Sequence, residues 1–253
     1  MKNIGLQGLN YRNTSVQLNG ELHLIKVIAD FYSSYSTPLI LFDVGANVGN
    51  YSKLLLTNFP DNSTIYAFEP FSIPFQKLTE LQRNHSSLKI HQAGFSDKEE
   101  YRLVFSSEEY SEIGGMYNRD YLFKETPHEI EETSRFLTLD GFCAENKINH
   151  IQFIKIDVEG HELFVLKGAA NLLQTHKIDI IQFEFGAGNH FSRTCFMDFY
   201  VLLDRSGYSM YRLLCNGLEK IARYSADYEM MIVTNFVAIK KDLSNDFFAR
   251  KNE

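Results

Sequence analysis

Tryptophan is absent from the 253 residues, and the three cysteines, Cys143, Cys195 and Cys215, lie 52 and 20 residues apart. So sparse and odd a set excludes a disulfide framework and lacks the paired spacing of a zinc ribbon. Long apolar runs are missing too. The longest, Phe199 to Leu203, has five residues, too few for a transmembrane helix. The N-terminal stretch holds no apolar core of signal-peptide length, which leads us to expect a soluble, cytoplasmic chain. On that expectation the Asn-x-Ser/Thr triplets at Asn13, Asn62 and Asn84 are chance matches. There is no internal repeat, no low-complexity tract and no linker rich in Gly, Ser or Pro, which favours one domain. Basic residues are in deficit, 25 against 32 acids, and a net charge of −7 argues against a nucleic-acid partner. What is present, 44% hydrophobic and 23% charged residues, is ordinary for a folded domain and excludes wholesale disorder.

The acidity is concentrated. Residues 97–133 hold eleven acids against four bases, which by itself accounts for the net charge. Such a segment reads as a solvated insertion, or as a lid whose acids meet a polar or cationic ligand. Inside it Gly114-Gly115-Met116-Tyr117-Asn118 offers either an ordinary hairpin turn or an acceptor-lid hinge.

Strand and helix signals alternate from residue 39 onward. Leu39 to Phe42 and Ile65 to Phe68 read as buried strands, Leu88 to Gln92 as a weaker one, and Ile151 to Ile156 and Ile178 to Phe183 as two more. Helices are expected over 49–58, around Phe71, Phe75 and Leu78, through Leu163, Leu166, Ala170 and Leu173, and through Phe196, Phe199 and Leu203. Tyr208 to Leu213 and Met230 to Ile239 lack a helix between them, which suggests an antiparallel hairpin at the edge of a parallel sheet. Leu24, Val27, Ile28 and Phe31 mark an N-terminal helix, so residues 1–37 read as a helical cover and 38–253 as the domain proper.

Open parallel sheets bind ligands outside the carboxyl ends of their strands. Three such ends carry chemistry: Asp43-Val44-Gly45-Ala46-Asn47-Val48-Gly49, Glu69, and Asp157 to Glu162. Glycines let a turn pass close beneath a ligand, and a carboxylate 26 residues beyond Asp43 can accept both hydroxyls of a ribose. Aligning a dinucleotide fingerprint on Gly45 puts Asn47 and Asn50 where glycines are required, and no Gly-Lys-Ser/Thr follows for a phosphate loop. An acidic strand end with a ribose-binding acid and no phosphate cradle suits S-adenosylmethionine. In extended backbone, Asp157, Glu159 and His161 would point to one side, while Glu162 could instead fold back as a helix cap. This is not the HExxH spacing, so no metal is assigned. Were a divalent ion present, Asp157, Glu159 and Glu184 would be its oxygen ligands.

FDVGANVGNYS (42–52), YAFEP (66–70), LTLDGF (137–142), IKIDVEGHELFVLKGA (154–169) and IIQFE (180–184) follow one another in an order that resembles the FkbM family of S-adenosylmethionine-dependent methyltransferases. The resemblance covers roughly residues 38–185. It implies a class I methyltransferase (Rossmann-like) fold, doubly wound, with a mostly parallel seven-stranded sheet ending in an antiparallel hairpin. It also implies methyl transfer to a hydroxyl of a sugar, glycan or polyketide. Carried across, it makes Asp43, Gly45, Ala46, Asn47, Gly49 and Glu69 cofactor-binding and places Gly94 and Phe95 beside the adenine; Asp157 is a further cofactor-binding candidate, facing the methionyl part in place of a catalytic role. For the base that takes the acceptor proton, His161 leads because imidazole titrates near neutral pH, with Glu159, Asp157 and Glu184 as the other catalytic candidates. Two competing readings are a nucleoside-binding scaffold that has lost catalysis and a nicotinamide-dependent oxidoreductase.

Overall fold

The computed structural model describes residues 18–106, 115–117 and 130–249. Its centre is a sheet of eight strands in the order β10-β9-β11-β8-β7-β1-β2-β3. These are β1 (Ile40–Val44), β2 (Thr64–Phe68), β3 (Leu88–His91), β7 (Ile151–Ile156), β8 (Ile178–Phe185), β9 (Tyr208–Leu214), β10 (Gly217–Ile221) and β11 (Thr234–Lys240). From β8 to β3 every neighbour is parallel, and β11, β9 and β10 then add antiparallel strands at one edge. The strand order turns at β1, the first strand laid down, and this places a crevice at its carboxyl end.

Alternate residues of the same strands feed two cores, as a pleated strand requires. Phe42, Val44, Ile154, Ile156, Ile181 and Phe183 join one cluster, while Leu41, Phe153 and Ile180 join the other. Helix α1 (Glu21–Tyr32) buries Leu24, Ile25, Ile28 and Phe31 in the second cluster. It is also pinned through the Tyr32 hydroxyl, which donates to Asp179 at 2.8 Å. Asp179 also receives Lys240 Nζ at 3.0 Å and His150 Nε2 at 2.8 Å. Removing only the hydroxyl, as in Tyr32→Phe, should cost about 1.5 kcal/mol in chemical denaturation. An unchanged midpoint would mean that α1 docks by its apolar face alone.

Three expectations differ from the structure. The sheet has eight strands rather than seven, because Gly217–Ile221 turns back after Cys215 and Asn216 and pairs with β9. Its exposed Glu219 and Lys220 hide it from a search for apolar runs. The helix expected through Leu163 to Leu173 is two, α5 (Glu162–Lys167) and α6 (Ala170–Gln174). Gly168 lies between them, where a Cβ would collide with the Ser96 carbonyl. The ends of the acidic segment are strands: β5 (Glu100–Ser106) and β6 (Ile130–Leu137) pair antiparallel, and β4 (Gly94–Phe95) joins β6 in a small second sheet. Of the Gly114–Asn118 motif, Gly115, Met116 and Tyr117 lie within the described residues; Gly115 makes an antiparallel bridge to Phe105.

Candidate active site

The carboxyl ends of β1, β2, β7 and β8 open into one cavity of about 310 Å³, within the range of small-molecule sites. Gly45, at φ +83°, begins its rim, and a side chain there would run into the Asp157 carbonyl. Gly45 and Ala46 both donate their N–H groups to the Phe68 carbonyl, at 3.0 and 2.9 Å, which folds the loop over the end of β2. Glu69 sits under that fold. Its Oε2 accepts the Asn47 N–H at 2.7 Å and its Oε1 the Phe71 N–H at 2.9 Å. Burial pushes the Glu69 carboxyl up to about 7 despite those two donors.

Asp43 is set back from the residues that line the cavity. It is fully buried in β1, its Oδ2 accepts the Ser52 hydroxyl at 2.6 Å, and its Oδ1 has no partner among the described residues. Gly49 caps helix α2 (Asn50–Asn58) at φ +86°. Both lie off the cavity wall, whereas Gly45, Ala46, Asn47, Glu69, Gly94, Phe95, Asp157, Glu159, His161 and Glu184 line it. The last acid of the first strand thus braces the next helix through Ser52.

At the β7 end, Asp157, Glu159 and Glu184 converge, with carboxylate oxygens within 4.8 Å of one another. The chain does not run extended here. Glu159 at φ +57° and Gly160 at φ +102° turn it sharply, and Glu184 joins from β8. Asp157 is tied to Lys155 Nζ at 2.9 Å, and Lys155 lies 4.6 Å over the Tyr51 ring. Burial lowers the Lys155 pKa, but Asp157, Asp43 and Glu21 more than offset this, so it stays charged. The Glu184 carboxylate has no hydrogen-bond partner among the described residues; burial and the neighbouring Asp157, Glu159 and Glu162 raise its pKa well above the carboxylate range. Glu162 is structural: its Oε1 accepts the N–H groups of Val158 at 3.1 Å and Gly160 at 3.0 Å, the fold-back cap considered from sequence.

His161 lines the cavity but is only 2% exposed, and both ring nitrogens are engaged. Nε2 lies 3.0 Å from Ser96 Oγ and Nδ1 2.8 Å from the Tyr117 hydroxyl. Ser96 donates its only hydroxyl proton to Asp97 at 3.1 Å, so it accepts from Nε2–H, and Nδ1 accepts from Tyr117. Burial, helped by Arg102, pushes the imidazole down to about 3, which corrects the expectation of a near-neutral titration.

Sequence reasoning missed two further walls. One is polar: Glu21, Tyr51 and Asn235 line the cavity and are joined by the fully buried Gln182, which donates to Glu21 Oε1 at 2.6 Å and to Asn235 Oδ1 at 3.0 Å and accepts from Tyr51 at 2.7 Å. Its members are far apart in the chain, and the polar Gln182 inside the otherwise apolar strand 178–183 was the one available signal. The other wall is apolar and consists of Phe71, Val104, Met116 and Phe136.

A doubly wound sheet with an apolar-walled, acid-ended cavity outside its parallel strands defines the Rossmann-like class I methyltransferase architecture. The methyltransferase FkbM domain family matches residues 43–210, two thirds of the chain, and the protein belongs to that family. It is 26% identical over 173 residues to the hexuronic acid methyltransferase AglP of Haloferax volcanii, an overlap of 67% of this chain and 64% of that one. It is 30% identical over 151 residues to methyltransferase 1 of Beauveria bassiana, covering 51% of this chain and 57% of the relative. The chain thus spans less than two thirds of either relative's length. Among solved structures, the FkbM methyltransferase of Methylobacillus flagellatus superposes with a TM-score of 0.50 at 17% identity, over 94% of this chain and 59% of that one. None of the helices among the described residues is long and apolar enough to cross a membrane.

Proposed function

We propose that the protein is an S-adenosylmethionine-dependent O-methyltransferase acting on a hydroxyl of a sugar or glycan. The observation that carries this reading is the cavity itself. It sets a buried, two-donor-braced Glu69 at the end of β2 beside a cluster of three carboxylates at the ends of β7 and β8. The donor set fits the cofactor. Glu69 suits the vicinal hydroxyls of a ribose, the loop at Gly45 admits close approach, and the acid end suits a sulfonium and an ammonium. S-adenosylmethionine supplies an electrophilic methyl group. The chain's own part is to orient the acceptor hydroxyl, exclude water and take the proton that leaves as the new bond forms. Glu184 suits that last task, because it is unpaired and its raised pKa makes it a stronger base than an ordinary carboxylate. A second reading gives the task to His161, which lines the same cavity and would accept a proton at Nδ1 once released from Tyr117.

The acceptor class rests on the acid-rich lining, which offers several hydrogen-bond acceptors to a polyhydroxyl compound, and on the likeness to a hexuronic acid methyltransferase. Incubation with methyl-labelled S-adenosylmethionine and a panel of neutral hexose, hexuronate and aminohexose glycans should transfer label to carbohydrate oxygen. Cofactor binding without transfer to any acceptor would favour the scaffold reading, and binding of a nicotinamide cofactor in its place would favour the oxidoreductase.

A further inference from the structure

We infer that Met116, brought in by the acidic segment and held by Tyr117, forms the purine wall of the cofactor subsite, which makes this part of the segment a cofactor-binding element. The inference rests on the cofactor reading above and extends it to residues outside the shared motifs.

A ribose held by its hydroxyls sends its base and its 5′ substituent in opposite directions. With Glu69 as the ribose anchor, the cavity offers two different ends. One is charged and holds Asp157, Glu159 and Glu184, which suits the cationic sulfonium. The other is apolar and holds Phe71, Val104, Met116 and Phe136 as one buried cluster. A flat heteroaromatic base gains most by burying its faces against such side chains. The wall is built onto the ribose anchor. Phe71 donates its N–H to Glu69 at 2.9 Å, Ser134 of β6 donates to the Pro70 carbonyl at 2.8 Å, and Ser72 N–H donates to Glu132 at 2.8 Å. Gly94, opposite Phe136 in the β4–β6 pairing, lacks a side chain where that ring sits.

Met116 is fixed in this wall from both sides. Gly115 exchanges two backbone hydrogen bonds with Phe105 at 2.9 Å each. Arg102 approaches the Met116 sulfur at 2.8 Å, and Tyr117 donates to His161 Nδ1 at 2.8 Å. His161 has its other nitrogen on Ser96, directly after Phe95 on the cavity wall. The chain Tyr117–His161–Ser96–Asp97 therefore ties the segment to the strand that carries Gly94 and Phe95. This gives the buried, neutral His161 a positioning role in which it takes no proton from the acceptor.

The test is calorimetry on the full chain with S-adenosylhomocysteine and with 5′-methylthioadenosine, which keeps the adenosine but lacks the amino-acid tail. Met116→Ala should weaken both ligands by the same factor, roughly tenfold or more, because the shared purine loses its contact. Met116→Leu, which restores apolar volume, should bind both like wild type and so rules out misfolding as the cause. Tyr117→Phe should weaken both by a smaller common factor, raising the KM for S-adenosylmethionine and leaving kcat unchanged. Wild-type affinity in Met116→Ala, or a loss confined to S-adenosylhomocysteine, would overturn the assignment. Failure of the wild-type protein to bind either ligand would instead overturn the cofactor reading beneath it.

Discussion

Glu184→Gln should lower kcat by roughly 10²- to 10⁴-fold, the usual contribution of a positioned general base. Affinity for S-adenosylmethionine should fall as well, because Glu184 is one of the three carboxylates at the end of the cavity that suits the sulfonium, so the loss is read as kcat at saturating cofactor. The pH dependence carries the sharper information. A base works in its deprotonated form, so the wild-type rate should rise as pH rises through the elevated pKa that burial and the carboxylates of Asp157, Glu159 and Glu162 give Glu184. The glutamine variant cannot accept the proton and should lose that limb. His161→Ala separates the two candidate bases. Its imidazole is pushed down to about 3, so its removal should leave the limb in place and act through cofactor affinity. A limb that survives Glu184→Gln and vanishes in His161→Ala would hand the role to the histidine.

Glu69→Gln should weaken S-adenosylhomocysteine binding by about 1.5–3 kcal/mol above neutral pH, the range for hydrogen bonds to a charged group. In the free protein burial holds this carboxyl up to about 7, with the N–H groups of Phe71 and Asn47 opposing the rise. Ribose hydroxyls donate to the ionised form, so binding favours deprotonation. Affinity should therefore be full above pH 7 and fall as pH drops below it, by at most one decade per unit. The glutamine variant should bind weakly with a flat profile. Binding calorimetry at several pH values, run in buffers of different ionisation enthalpy, reads both the affinity and the proton released. Equal affinity of wild type and variant at pH 8 would remove Glu69 from the ribose site.

Much of this architecture could be read from the chain because the signals were local. The runs Leu39–Phe42, Ile65–Phe68 and Ile151–Ile156 are buried on both faces, so apolar content alone exposed them, and Gly45 and Glu69 stand where such strands end. The acidic segment was misleading for a physical reason. In β5, Tyr101 and Leu103 face solvent while Val104 faces the cavity, so its strand period lay beneath an unfavourable charge count. Asp157, Glu159 and Glu184 converge, but not along the extended backbone expected from the sequence. An extended chain would have set His161 beside Asp157 and Glu159, but the left-handed turn at Glu159 and Gly160 sends the imidazole toward Ser96 and Tyr117. Contacts such as Gln182 with Glu21 and Met116 with Phe136 join residues that no local pattern links.

The most direct test of the central claim is a calorimetric titration of the wild-type protein at pH 8 with S-adenosylhomocysteine, with NAD in a parallel cell. The account predicts saturable binding of S-adenosylhomocysteine at one site per chain and no heat from NAD. Saturable binding of NAD, or no binding of S-adenosylhomocysteine, would contradict it.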